Sequence, residues 1–83
     1  MPQSERAQIL RTLVKWISEK EEGQTQQAIV SYVRWEITEG GATANTAKKY
    51  IDDLKGASLI ELKHPNIYRI TNAGKSWLER HAI

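Results

Sequence analysis

The chain has 83 residues, enough for one small domain and too few for two, so we expect residues 1–83 to form a single domain. It contains no cysteine, which excludes disulfides and thiolate metal sites and is typical of a reducing compartment. No apolar run approaches the ~20 residues that a membrane-spanning helix needs, and no signal peptide is apparent. These features predict a cytoplasmic protein that does not contact a membrane.

The net charge of +2 is unevenly distributed along the chain. Residues 1–42 carry five basic and six acidic side chains, whereas residues 43–83 carry seven basic and four acidic ones. The second half therefore has a modest basic excess, which favours an anionic partner on that half. Strong non-specific binders of nucleic acid usually carry more positive charge, so a dimer, which doubles the positive surface, would suit such a partner better.

Two amphipathic helices are predicted in the first half of the chain. In residues 5–21 the apolar residues recur at helical spacing, and Ser4 stands where an N-cap is expected. Residues 26–37 follow Thr25, a second N-cap candidate, and are apolar around most of the helix circumference. Because a helix that is apolar over so much of its surface packs on two sides, we expect it to lie centrally in a three-helix core.

A third helix is predicted after a short glycine-containing turn at residues 38–42. Thr43 is its expected N-cap, and Gly56 stands where a residue with left-handed backbone commonly ends a helix. Four apolar residues recur at helical spacing and form a stripe that we expect to be buried: Ala47, Tyr50, Ile51 and Leu54. A helix, a glycine-bearing turn and a second helix together make the helix-turn-helix arrangement.

The opposite side of this third helix is polar and partly basic. At about 100° per residue, Asn45, Lys49 and Asp52 lie on that side, with Thr46 and Lys48 on its shoulders. A helix with one apolar side and one small, polar, basic side is what reading of a DNA major groove requires. The same pattern is typical of any surface helix, so its neighbours in the chain have to decide between the two interpretations.

The remaining sequence predicts a hairpin followed by a last helix. Residues 59–63 and 67–71 alternate apolar and polar side chains around a Pro-Asn turn, which is the pattern of two antiparallel strands. Thr71 is the expected N-cap of a helix that continues to about residue 81. The three tryptophans, Trp16, Trp35 and Trp77, are most simply interpreted as residues of the core or its edge.

This order of elements resembles the winged helix-turn-helix family of small prokaryotic and archaeal DNA-binding regulators. Residues 46–54 (TAKKYIDDL) resemble the recognition helix of that family, and residues 56–60 (GASLI) resemble its entry into the wing. Residues 68–75 (YRITNAGK) resemble the exit from the wing into the last helix. The resemblance covers about residues 25–78, and the order of the elements is its most specific feature.

The resemblance implies a mainly α (α+β) fold with a three-helix core, a two-stranded β-hairpin wing and a C-terminal helix. It also implies a sequence-specific regulator of transcription that binds double-stranded DNA, with residues 43–55 in the major groove and the wing, residues 59–71, on the flanking backbone. Asn45 would pair with adenine, and Lys49 would reach guanine or phosphate. The candidate DNA contacts are Thr43, Asn45, Thr46, Lys48, Lys49, Lys63, His64, Asn66 and Arg69.

Two features depart from the family pattern. The wing tip at residues 63–67 is short, which argues against a deep minor-groove arm. Asp52 and Asp53 place negative charge late on the recognition helix, where phosphate would repel it unless Asp52 accepts a hydrogen bond from a cytosine amino group.

A homodimer is also expected, because the resembling regulators commonly dimerise through their first and last helices. An 83-residue monomer needs only part of the apolar surface of its first helix for its own core. The candidate interface residues are Ile9, Trp16, Trp77, Leu78 and Ile83.

Two other binding functions compete with transcription regulation. The fold could present the same surface to a protein partner, since fold does not determine function. It could also coat DNA or act in replicon maintenance. Catalysis has almost no support: His64 and His81 are the only histidines and stand in no metal-binding or catalytic motif, so we expect neither metal nor cofactor.

Overall fold

The computed structural model describes residues 2–81, apart from the side chains of residues 2–5, 64 and 81. It contains four helices and a three-stranded antiparallel sheet, so the predicted α+β class is confirmed. None of the helices in this range is long and apolar enough to cross a membrane. The elements are α1 (Pro2–Ser18), β1 (Gln24–Thr25), α2 (Gln26–Ser31) with a π-helical continuation (Tyr32–Ile37), α3 (Ala44–Gly56), β2 (Ile60–His64), β3 (Ile67–Ile70) and α4 (Asn72–His81).

A single hydrophobic core joins the inner sides of the helices to one face of the sheet. Burial of an aliphatic side chain contributes about 1.5–3 kcal/mol, so the core residues that are fully buried dominate the stability of this small fold. They come from α1, from α2 and its continuation, from α3 and from β2: Leu13, Val14, Ile17, Ile29, Val33, Ala47, Ile51, Leu54 and Ile60. The predicted stripe on α3 is thus buried at Ala47, Ile51 and Leu54, while Tyr50 is half-buried at its edge.

The sheet has the strand order β1-β3-β2, with β3 in the centre. The hairpin of β2 and β3 was predicted, and it pairs Ile60 with Ile70 and Leu62 with Tyr68. Strand β1 was not predicted; it covers the other edge of β3 and pairs Gln24 with Tyr68. The sheet therefore extends the hairpin by one short strand that leads directly into α2.

On β2, the part of the hairpin that is far from its turn is buried in the core. Ile60 and Ile70 are buried, whereas Leu62 is 42% exposed although it lies on the same side of β2 as Ile60. The register shifts between Leu62 and His64, so Lys63 stands in a β-bulge without a cross-strand partner. The turn itself is short, as the sequence predicted, and contains only residues 65 and 66.

Three predicted helix termini differ from the structure. Helix α1 begins at Pro2, so Ser4 lies within the helix and is not its N-cap. Helix α1 ends at Ser18, three residues before the expected end. At the end of α3, Gly56 is the last helical residue, and Ser58 adopts the left-handed backbone with φ 63° instead. The Ser58 amide donates to the Lys55 carbonyl and the Leu59 amide donates to the Leu54 carbonyl, each at 3.0 Å. These two bonds form a Schellman motif. The left-handed residue is therefore Ser58, two positions after Gly56, and the motif brings Leu59 into the core beside the end of α3.

The second predicted helix is continuous over residues 26–37, but its last six residues form a π-helix. A π turn holds one more residue than an α turn, so each residue advances less around the axis. Ile37 can then pack against the core with Val33, while Glu36 remains exposed. The amide of Thr38 closes the π-helix by donating to the Val33 carbonyl at 3.0 Å. Trp35 is 56% exposed, so its assignment to the core or its edge was wrong.

Gly74, in the first turn of α4, packs against the start of β2. A Cβ atom at this position would overlap the Leu59 carbonyl oxygen and lie 2.7 Å from Cγ1 of Ile70. We expect Gly74→Ala to lower the free energy of unfolding by about 1–3 kcal/mol, because backbone cannot move away cheaply. Gly56→Ala is the matched control, since a Cβ atom added at residue 56 would have no such neighbour within 4 Å.

The Gly56→Ala variant should be as stable as the parent or more stable by up to about 1 kcal/mol, because alanine favours helix. Urea denaturation followed by far-ultraviolet circular dichroism measures both changes. Equal stability of the two alanine variants would contradict the close packing of α4 on β2.

Candidate nucleic-acid interface

Helix α3 presents its polar side to solvent because its apolar side is anchored in the core. Asn45, Lys48, Lys49 and Asp52 lie on that side, and no other segment in the described part of the chain buries them. Three of the side chains predicted to contact DNA from this helix, Asn45, Lys48 and Lys49, are therefore accessible. Their spacing places Asn45 and Lys49 in the middle of the polar side, with Lys48 on the flank nearest α2.

The first turn of α3 is held by a side-chain cap, as predicted. The Thr43 hydroxyl accepts from the Thr46 amide at 3.2 Å and lies 3.1 Å from the Thr46 hydroxyl. The hydroxyl of Thr46 is therefore already engaged within the chain, so Thr46 is less available to a partner than Asn45 or Lys49.

One of the two carboxylates late on α3 is paired within the chain. The guanidinium of Arg6, on α1, forms an ion pair with Asp53 and lies 5.5 Å from the centre of the Tyr50 ring. Both charged side chains of the pair are about half exposed, so the pair contributes little to stability. Its main effect is electrostatic: Arg6 offsets the negative charge of Asp53 at the edge of the α3 surface, whereas Asp52 is exposed on its outer side.

The hairpin residues that were predicted to contact DNA lie at different distances from the hairpin turn. Lys63, in the bulge, and Asn66, in the turn, are exposed near the tip. Arg69 lies on the central strand opposite Glu61 and is half-buried. Its Nε is buried without a hydrogen-bond acceptor among the described residues. The structure thus separates Arg69 from the tip residues, and the side chain of His64 lies outside what it describes.

A groove of about 500 Å³ lies between α2, its π-helical continuation, α3 and the hairpin turn. It adjoins the polar side of α3 through Lys48. The side chains that line it include Gln27, Ser31, Arg34, Trp35, Lys48 and Asn66. Gln27, Ser31 and Arg34 recur at helical spacing in the sequence, and this spacing is a signal that could have identified the groove.

A second depression, of about 770 Å³, lies on the opposite flank of α3, towards α1. Its lining includes Arg6, Ile9, Tyr32 and Tyr50. Tyr32 is stacked on Trp16, with ring centres 4.1 Å apart and an angle of 7° between the planes. Burial, and then the nearby charges of Glu19 and Glu36, raise the pKa of Tyr32, so its phenol stays neutral at physiological pH.

The predicted dimer residues on α1 and α4 form part of the monomer's own packing. Ile9, Trp16, Trp77 and Leu78 are partly buried, and the last three pack against the core. Their remaining exposed area is the part that a partner subunit could cover. Ile83 lies outside the described residues.

The sequence matches no protein-family model, and comparisons with curated proteins and with solved structures also give no match. Within the described residues, no group of three or more histidine, aspartate or glutamate side chains is arranged to hold a metal ion. The geometry and chemistry of the chain itself are therefore the basis for a functional assignment.

Removal of the Thr43 cap should weaken the fold without changing its shape. We expect Thr43→Val, which loses the hydroxyl and keeps the branched side chain, to lower the free energy of unfolding by about 0.5–2 kcal/mol. Thr43→Ser keeps the acceptor and should change stability by less than about 0.5 kcal/mol. Chemical denaturation without any ligand measures both, and a valine variant as stable as the serine variant would contradict the capping role.

Proposed function

We propose that the chain is a winged helix-turn-helix protein that binds double-stranded DNA with α3 in the major groove. The observation that carries the proposal is the polar, lysine-bearing side of α3, which is accessible at Asn45, Lys48 and Lys49 while the other side is buried. The order of the elements supports it as well, since α3 follows a short turn after the second helix and is followed by a hairpin and a last helix.

The dimensions of α3 suit this role. Its 13 residues make a rod about 20 Å long, and the major groove of B-DNA, about 12 Å wide, admits an α-helix. In this arrangement Asn45 makes a bidentate contact with adenine, and Lys49 reaches guanine or a phosphate. Lys63 and Asn66, near the hairpin tip, contact the flanking backbone and set the position of the helix without specifying sequence.

The charge of one subunit is low for a DNA-binding protein, and we propose that a homodimer compensates for it. Two copies of α3 would then contact half-sites about 34–36 Å apart, one turn of the double helix. The partly exposed surface of Ile9, Trp16, Trp77 and Leu78 is the proposed interface. Such a dimer would act in the cytoplasm on the nucleoid, as a sequence-specific regulator of transcription.

A protein-interaction module is the second candidate function. The observations that favour it are the two large apolar side chains left exposed in the described part of the chain, Trp35 and Leu62, and the exposed carboxylate of Asp52 on the outer side of α3. A titration of the chain with random duplex at low salt separates the two candidates. Binding in the micromolar range supports the DNA-binding function, and no binding at tens of micromolar favours a protein partner.

The double variant Lys48→Ala/Lys49→Ala tests the proposed DNA contact directly. We expect it to weaken duplex binding by about tenfold or more. The slope of the logarithm of the binding constant against the logarithm of the salt concentration should become shallower by about 1–2, because up to two phosphate contacts are lost. Fluorescence anisotropy of a labelled duplex at several salt concentrations measures both quantities.

The matched control is Lys15→Ala/Lys75→Ala, which removes the same charge from exposed positions on α1 and α4. It should retain most of the affinity. Parent-like binding by the α3 variant at every salt concentration, or equal weakening by the control, would contradict the assignment of this surface. Cooperative spreading along a long duplex would indicate a DNA-coating function instead.

The proposed dimer is tested at Ile9, which is half-buried on α1. Ile9→Asp should shift the protein from dimer to monomer in sedimentation velocity, because an unpaired carboxylate is expensive to bury in an apolar interface. The neighbouring Gln8 is exposed, so Gln8→Asp adds the same charge next to the interface and should leave the dimer intact. A parent chain that sediments as a monomer at high concentration would refute the dimer.

A further inference from the structure

We propose that the groove beside α3 binds the sugar–phosphate backbone of the DNA, with Arg34 and Lys48 on a phosphate and Trp35 against the adjoining deoxyribose. This inference rests on the proposed function and adds to it a contact from the second helix. Neither Arg34 nor Trp35 was among the candidate contacts derived from the sequence.

The lining of the groove suits an anion. It contains two cations, Arg34 and Lys48, and no carboxylate, together with three side-chain amides and two hydroxyls that can donate hydrogen bonds. In a chain with 12 basic and 10 acidic side chains, a groove with two cations and no acid is a local concentration of positive charge. Phosphate oxygens accept from donors of these types.

Arg34 is held in position before any ligand binds. The side chain is half-buried, and its Nε is buried without a hydrogen-bond acceptor among the described residues. Its guanidinium carbon lies 4.8 Å from the centre of the Trp35 ring. A guanidinium that lies over a ring can keep the edge formed by its two terminal nitrogens available, and this edge matches two phosphate oxygens.

Trp35 is the most exposed large apolar side chain in the described part of the chain, at 56%. Its ring lies against the turn before α3, where a Cβ atom added to Gly40 would be 3.2 Å from the ring. The turn therefore packs against one part of the indole ring, Arg34 lies over another part, and the rest of the ring faces solvent. The carbon face of a deoxyribose next to a bound phosphate is an apolar surface that could cover it.

The groove is continuous with the surface proposed to read bases. Lys48 belongs to both, because it lies on the flank of α3 and lines the groove. At the other end is Asn66 of the hairpin turn, whose carbonyl accepts from the Gln26 amide at 2.8 Å. A backbone strand in the groove would thus pass from the edge of α3 to the hairpin. This continuity favours DNA over an acidic peptide. Both are anionic, but only DNA bound to α3 would present a backbone that continues from α3 into the groove.

The test compares single variants in anisotropy titrations of the full chain with a labelled random duplex at about 0.1 M salt. Arg34→Gln should weaken binding about fivefold to tenfold and reduce the salt slope by about 1, because one phosphate contact is lost. Trp35→Ala should weaken binding about threefold to tenfold with an unchanged salt slope, because it removes apolar contact and no charge. The charge-matched control Lys75→Gln, on α4, should bind like the parent.

Trp35→Phe provides a second measurement that does not depend on full affinity. The parent's tryptophan fluorescence should change on saturation with duplex, and most of that change should be absent in Trp35→Phe although it still binds. Thermal unfolding of each variant confirms that it is folded under the conditions of the titration.

Lys49→Gln separates this inference from the function on which it rests. If Lys49→Gln weakens duplex binding while Arg34→Gln and Trp35→Ala do not, the groove assignment is overturned and the DNA-binding function stands. If the parent does not bind duplex at all, both fail. If millimolar inorganic phosphate alone reproduces the Trp35 fluorescence change while the groove variants bind duplex normally, the groove holds a free anion and the backbone contact is refuted.

Discussion

The burial of Ala47, Ile51 and Leu54 determines how α3 is rotated about its own axis. Turning the helix by one residue, about 100°, would expose these side chains and bring Lys48 towards the apolar core. A lysine without a partner in such an environment is strongly unfavourable, so one rotation of α3 dominates. The lysine-bearing side is accessible for the same reason that the domain is stable, and both the proposed base contacts and the adjoining groove depend on it.

The parts of the fold that follow from local periodicity could be predicted from the sequence. The stripe on α3 and the alternation in β2 and β3 each repeat over enough residues to be recognised, and the threonine caps at 25, 43 and 71 mark where helices begin. Strand β1 could not be predicted because only two residues form it, and their strand partners on β3 are more than 40 positions away. The helix stop at Ser58 likewise depends on the packing of Leu59 and not on the local preference of glycine.

The candidate site likewise contains residues whose position could be predicted from the sequence and one whose position was predicted wrongly. Asn45, Lys48 and Lys49 could be placed on one accessible side because α3 is a regular helix. Trp35 was assigned to the core or its edge although it stands four residues after Ser31, and therefore close to the polar side of a regular helix. A tryptophan in an otherwise apolar helix is assigned to the interior by default, and only tertiary packing shows that it lies at the surface.

The central strand β3 is hydrogen-bonded on both edges, and the residue that follows β1 is bonded to the hairpin turn. The hairpin is consequently joined to the start of α2, and motion of the tip independent of the helices would break backbone hydrogen bonds. A ligand that touches both α3 and the hairpin therefore meets two surfaces whose relative orientation is set in advance. Preorganisation of this kind lowers the conformational entropy lost on association, so a small chain with a low net charge can bind more tightly than its contact area suggests.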